Sequence, residues 1–269
     1  MKLIQKTQTA LILLPLVLAC PAFGQISITT AYGNGADTEL INDTGPGSGL
    51  TYGSSATMEQ RNYDGVRQRI AYFRFDLSGV DTSISGWATG ATLTFQVTSD
   101  TRNRTWSVFG VSDSAANNNW NESTLAYGSA SGFSTAAAGY YTLDTTSLYN
   151  GNTATTLPAN SLGYALGAIP VTGVGTFTTT ATSGAGTATS VNLENFLQTD
   201  TDGLVTLFFL ANSDSALDAY AATKENTGSY VLPTLSLPNA APVPEPTSIT
   251  LLGIGLGMGL WQIRRHKVA

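Results

Sequence analysis

The chain has 269 residues, with 12 Lys and Arg against 18 Asp and Glu, one His and one Cys. Charged residues make up 11%, well under the roughly one quarter usual in soluble domains. The sole imidazole is His266 near the C-terminal end, and the sole thiol is Cys20 inside the first apolar run. Between them Ser-His-Asp and Cys-His catalysis, zinc sites built on His or Cys, haem ligation and disulfides are excluded.

In chain order, residues 1–24 read as a secretory signal peptide with a helical apolar segment. Lys2 and Lys6 form its positive region, Ala10 to Ala19 its apolar run, and Ala22-Phe23-Gly24 a small-x-small cleavage site before Gln25. A rival reading takes Val17-Leu18-Ala19-Cys20 as a lipoprotein signal, against which stand the bulky Leu18 and Pro21. Either way, export is expected.

The body follows. Residues 25–244 hold seven basic and 17 acidic residues, a balance of −10, which argues against nucleic acid or anionic membrane as a partner. Helical periodicity is scarce, and short alternating runs recur instead. They are Ile26 to Ala31, Gln68 to Leu77, Ala91 to Thr98, Trp106 to Val111, Leu204 to Leu210 and Tyr230 to Leu237. In the second run Ala71, Phe73 and Phe75 share one face, and Ile70, Tyr72 and Arg74 the other. In the third, Leu93, Phe95 and Val97 point inward. Leu204 to Leu210 is apolar on both faces, as a central strand should be. Pro233 predicts an edge or a bulge in the last run. Val191 to Gln198 predicts a turn or two of helix. The Thr/Ser/Gly-rich stretch 172–190 reads as a flexible loop or as a loop holding one strand near Thr176 to Thr180. The expected fold class is all-β, a jelly-roll β-sandwich forming one domain over 25–240.

The far end has three parts. Val243-Pro244-Glu245-Pro246 leads into the apolar stretch Ile249 to Ile263, and Arg264, Arg265 and Lys267 follow. That order predicts a C-terminal transmembrane helix with its basic end in the cytoplasm. It closely resembles the PEP-CTERM sorting signal of Gram-negative bacteria, here over residues 243–267. The resemblance implies an exosortase-type membrane protease as partner, inner-membrane anchoring before sorting, and delivery to the cell surface or an exopolysaccharide matrix such as a biofilm. Its sorting residues are Val243, Pro244, Glu245, Pro246, Arg264 and Arg265.

The body carries a second resemblance. Asp37-Thr38, Tyr52-Gly53-Ser54-Ser55 and Ala71-Tyr72-Phe73-Arg74-Phe75-Asp76-Leu77-Ser78 come first. Gly90-Ala91-Thr92-Leu93, Trp106 to Val111, Trp120-Asn121-Glu122-Ser123-Thr124-Leu125 and Thr223-Lys224-Glu225 before Pro233-Thr234-Leu235 follow. This order is similar to DNRLRE-type domains, which include carbohydrate-binding modules of polysaccharide lyases. It implies a jelly roll without catalysis of its own. Ala126-Tyr127-Gly128 departs from the usual continuation.

Candidate site residues come from one charge anomaly. Arg61, Arg67, Arg69 and Arg74 supply four of the body's seven cations, with Tyr63 and Tyr72 among them. Arg forks hold carboxylates and aromatic rings stack on sugars, so this group is a candidate site for an acidic polysaccharide. The competing reading pairs the arginines with Asp64, Asp76 or Glu59 on an exposed sheet. Trp120 reads as a loop anchor ahead of a sugar platform, and Trp87 and Trp106 as packing. Asp200-Thr201-Asp202-Gly203 resembles the start of a calcium loop, but Val205 does not fit one, and a tight turn is favoured. No cofactor is expected, with a structural Ca²⁺ left open. No spacing singles out a catalytic carboxylate pair, so the protein is read as non-enzymatic. The functional expectation is an exported surface or matrix protein that binds exopolysaccharide. The alternative is a purely structural matrix protein or adhesin, and a polysaccharide-degrading enzyme comes third.

Overall fold

A computed structural model describes residues 24–43, 49–62, 67–99, 104–113, 118–135, 141–143, 165–179, 193–211 and 215–243. Among these the chain is nearly all β. The first strands are β1 (Ile26–Thr29), β2 (Ala36–Asp43), β3 (Thr57–Asn62), β4 (Arg67–Asp76), β5 (Thr92–Ser99) and β6 (Arg104–Gly110). A small hairpin, β7 (Phe133–Thr135) with β8 (Tyr141–Leu143), follows. Then come β9 (Ala165–Val171), β10 (Gly175–Thr178), β11 (Leu204–Ala211), β12 (Ser215–Ala222) and β13 (Thr234–Leu237). A five-residue helix, α1 (Leu193–Leu197), precedes β11.

The main sheet is antiparallel and runs β1-β13-β5-β12-β3-β4-β11-β6-β9, with β10 added to β5 and β2 to β4. It bends where β3 meets β4, with Arg61 opposite Arg69. The two halves then face each other across an aromatic core. Phe95 of β5 lies 5.0 Å from Trp106 of β6 and 4.6 Å from Phe209 of β11, which in turn meets Phe73 of β4 at 4.6 Å. Such ring pairs add to the area term that drives the two halves together.

The alternation expected of β4 and β5 holds. Phe73 and Phe75 join Leu93, Phe95 and Val97 in this core, while the Thr and Gln of β5 in the intervening places are half-buried. β11 lies between β4 and β6 and is buried along almost its whole length, as its two-faced apolarity predicts. The short helix and the Thr-rich strand are both present as α1 and β10. Pro233 needs neither an edge nor a bulge. It sits one residue before β13, which lies between β1 and β5, so its missing N–H costs the ladder nothing. Its carbonyl accepts the Thr30 N–H at 3.2 Å. At the far edge, β9 carries the exposed Pro170.

The other face of β4 differs from an exposed sheet. Ile70 and Tyr72 of β4, Phe208 and Leu210 of β11, and Phe109 of β6 form a second apolar layer. Trp120, Leu125, Tyr127 and Ala130 cover it from the segment after β6. Near the C-terminal end Pro242 pairs with Val80. The Asp81 N–H donates to Ala241 O at 2.9 Å and the Val243 N–H to Gly79 O at 3.2 Å. No described helix is long and apolar enough to cross a membrane. The signal segment 1–23 and the apolar stretch 249–263 lie outside the described residues.

Candidate functional site

The site residues are positioned by β4 and by the segment that covers its outer face. Arg74 is 9% exposed. Its Nε donates to Asn34 O at 2.8 Å, and its Nη1 donates to Asn118 O at 2.9 Å and Trp120 O at 2.6 Å. The guanidinium carbon lies 4.9 Å from the centre of the Trp120 ring, within cation–π range. Burial pushes the guanidinium pKa down, while nearby Glu122 and Asp76 oppose that shift. Trp120 donates its indole N–H to Thr206 Oγ1 of β11 at 3.1 Å, so it anchors the segment as its sequence context predicts.

Tyr72 is 0% exposed. Its ring packs 5.2 Å from Trp120 and 6.1 Å from Phe208, and its hydroxyl donates to Ser131 O at 3.1 Å. Tyr72 and Arg74 thus do share a face, but that face is packed rather than presented to a ligand. The reason is the run from Trp120 to Ala130, whose apolar residues need a partner layer and find it there. Arg61 pairs with Glu59 at 2.9 Å, and Arg69 lies 3.8 Å from Glu59 and 3.9 Å from Glu39. The structure therefore brings Arg61 and Arg69 together on the bend, among acids, and sets Arg74 apart. Arg67 opens β4 opposite Asp43. Tyr63 lies outside the described residues, as do Pro244, Glu245, Pro246, Arg264 and Arg265. Val243 is the one sorting residue described, and it is 48% exposed.

Beside Arg74 is a group to which the sequence reading assigned no role. Lys224, the body's only lysine, reaches both carboxylate oxygens of Glu122 and one of Glu225. Asp37, 0% exposed, accepts from the Thr30 hydroxyl at 2.5 Å and the Lys224 N–H at 3.0 Å. Burial, with Glu225 adding to it, pushes the Asp37 carboxyl up to about 7, against the two hydrogen bonds. Burial also raises Glu122. For Lys224 burial acts downward, but hydrogen bonds to Glu122 and Glu225 win and raise it. A lone lysine in an acidic body is the sequence signal that could have found this group.

Two clefts flank Glu122. One, of about 330 Å³, is bounded by Asn34, Arg74, Asn119, Trp120 and Asn121. The other, of about 270 Å³, is bounded by Thr51, Gly53, Ser54 and Ser123. The two loops approach so closely that a Cβ on Gly53 would sit 2.3 Å from the Glu122 carbonyl oxygen.

The Asp200–Gly203 stretch is the tight turn expected before β11. Gly203 has φ +77°, and its N–H donates to Asp200 Oδ2 at 3.0 Å, while Leu204 N–H donates to Asp202 Oδ1 at 2.9 Å. Asp113 joins it, accepting the Thr201 N–H at 2.9 Å. Burial, then the charges of Asp113 and Asp202, push the Asp200 carboxyl up to about 7.

The chain's end decides its routing. Residues 242–265 match the PEP-CTERM protein-sorting motif. The PEP-CTERM motif implies recognition by exosortase, export, and sorting to the cell surface or extracellular space. It opens at Pro242, the residue paired with Val80, so the body and the PEP-CTERM motif share their boundary residue. No curated protein matches the chain.

Arg74→Lys should destabilise the fold by roughly 2 to 4 kcal/mol, because an ammonium cannot span three carbonyls on two segments. Urea unfolding checks this, and a loss below about 0.5 kcal/mol would refute the clamp.

Asp37 makes stability depend on pH in an uncommon direction. Its folded pKa lies above the unfolded value, so between about 4 and 7 the folded chain binds more protons than the unfolded one. Stability falls as pH rises through that window, by an amount on the order of 1 to 3 kcal/mol from this group. Thermal midpoints from pH 4.5 to 8 should fall less steeply in Asp37→Asn than in the wild type.

Proposed function

We propose that the chain is an exported surface or matrix protein, delivered through its PEP-CTERM motif, whose body is a non-catalytic β-sandwich of the jelly-roll kind. The match at residues 242–265 carries this reading. The chemistry of the body supports its second half. Arg61 and Arg69 are matched by Glu59 and Glu39, Arg74 by three backbone carbonyls, and Lys224 by Glu122 and Glu225. These described cations are spent on holding the body together, as a structural module in a matrix requires. In this reading residues 1–24 direct export, and the 249–263 stretch is the inner-membrane anchor held until sorting.

A second reading, contact with exopolysaccharide, keeps one observation in its favour. The cleft beside Trp120 offers Asn34, Asn119, Asn121 and Glu122, an amide and carboxylate lining that suits sugar hydroxyls. Of the arginine group it keeps only Arg74, whose guanidinium is held by three backbone carbonyls, and this disfavours a polyanionic ligand.

Replacing Pro244, Glu245 and Pro246 with Ala in the producing cell should hold the protein in the membrane fraction. An unchanged distribution between membrane, surface and medium would refute sorting through this motif. Affinity electrophoresis in gels containing neutral or acidic polysaccharides addresses the second reading. Retardation in the neutral gel that weakens in Asn34→Ala and Asn119→Ala supports it, and equal mobility in all gels excludes it.

A further inference from the structure

Away from the cleft and from the sorting motif, three carboxylates converge. Asp113 follows β6, and Asp200 and Asp202 form the turn before β11. Each offers an oxygen within 4.8 Å of the others. Among the described residues no ion pair reaches any of the three. The other carboxylate group, Asp37, Glu122 and Glu225, has the Lys224 ammonium bonded to Glu122 and Glu225, so part of its charge is already met.

Asp37 Oδ1 and Glu225 Oε2 of that other group are buried without a partner, and the first group adds to such oxygens a buried amide and a cavity. Asp113, Asp200 and Asn118 line a small cavity of about 10 Å³, room for about one water-sized sphere. Asn118 is 1% exposed. Its Nδ2 donates to Asp113 Oδ1 at 3.1 Å, and this leaves its Oδ1 buried with no hydrogen-bond partner. Asp200 Oδ1 is likewise buried and unpartnered. A buried acceptor left unmet keeps its full desolvation penalty, the more so when charged. Here two such oxygens border one cavity.

What meets bare oxygens beside three carboxylates is a hard cation. Ca²⁺ accepts six to eight oxygen ligands at about 2.3 to 2.6 Å, so two ligands across the ion stand about 4.6 to 5.2 Å apart. The carboxylate oxygens, all within 4.8 Å of one another, are close enough to share such an ion. Mg²⁺, at about 2.0 to 2.1 Å, demands a tighter octahedron. No nitrogen or sulfur belongs to the set, which disfavours zinc and copper.

We propose that Asp113, Asn118, Asp200 and Asp202 form a Ca²⁺ site. The ion ties the segment after β6 to the turn before β11. Asn118 also gives its carbonyl to Arg74, so the ion steadies the segment that covers the second apolar layer. The site is independent of the sorting reading, and it draws on the turn that the sequence alone presents as a partial calcium loop. Extracellular modules bind Ca²⁺ with Kd of about 10⁻⁴ to 10⁻³ M, which suits an exported protein.

The full chain, stripped with a chelator, is titrated with CaCl₂ or MgCl₂. Thermal midpoint and equilibrium dialysis with radioactive calcium are read together. The expected result is about one Ca²⁺ per chain and a midpoint several degrees higher at millimolar Ca²⁺, with a smaller rise in Mg²⁺. Asp202→Asn, at an exposed turn position, should keep the fold and weaken binding at least tenfold. Asn118→Ala and Asp200→Asn should remove the midpoint rise. Absence of both binding and midpoint rise in the wild type overturns the site. So does calcium binding that persists unchanged in Asp202→Asn and Asp200→Asn.

Discussion

A guanidinium buried between β4 and the backbone of residues 118–120 allows a second apolar layer to form outside the sheet. Arg74 donates to carbonyls on two separate segments and stacks near Trp120. Those carbonyls would otherwise be covered by the layer with no donor, and each would cost the desolvation of an unmet acceptor. With the clamp in place, Trp120 can bond Thr206 and Tyr72 can pack against Phe208. The polar contacts therefore come at the rim of the apolar layer and fix its position. The rings supply most of the favourable area.

The same economy of charge runs through the rest of the body. An acidic chain with few cations places them where acids or carbonyls need them. Arg61 and Arg69 sit where the sheet bends, between Glu39 and Glu59, and Lys224, with Glu225 beside it, joins its own segment to that of Glu122. Asp37 is held beside Lys224 in a buried place that favours its neutral form. Folding has used most of these charges before any partner arrives, and the Asp113, Asp200 and Asp202 group stands out by contrast.

The strands with clean alternation were legible. Leu93, Phe95 and Val97 alternate with polar residues, so their inward face follows from the period of two. Leu204 to Leu210 has no polar face, and it lies in mid-sheet. β2, β3 and β12 were not legible as strands. Their sequences, ADTELIND, TMEQRN and SALDAYAA, are poor in β-branched and aromatic residues, and they become strands through pairing of β2 with β4, of β3 with β4 and β12, and of β12 with β5. Tyr72 and Arg74 share a face, as the period of two requires, and that face is buried. Alternation tells which residues lie together and not what covers them, and the cover comes from residues about fifty positions on. The candidate cation site was half visible. Asp200 and Asp202 are neighbours in sequence, whereas Asp113 and Asn118 arrive only through the antiparallel pairing of β6 with β11. The sorting motif was readable in full because its three parts are contiguous.

The pairing of Pro242 with Val80, and of Val243 with Gly79, leaves no spacer between the folded body and the sorting motif. Val243, the residue just before Pro244, is tied to the body by its N–H to Gly79 O. An enzyme that grips Pro244 to Pro246 must therefore admit the flank of a folded domain into its mouth, or first peel away the last paired residues. Either way, the rim of the body becomes part of the substrate surface that the sorting enzyme meets.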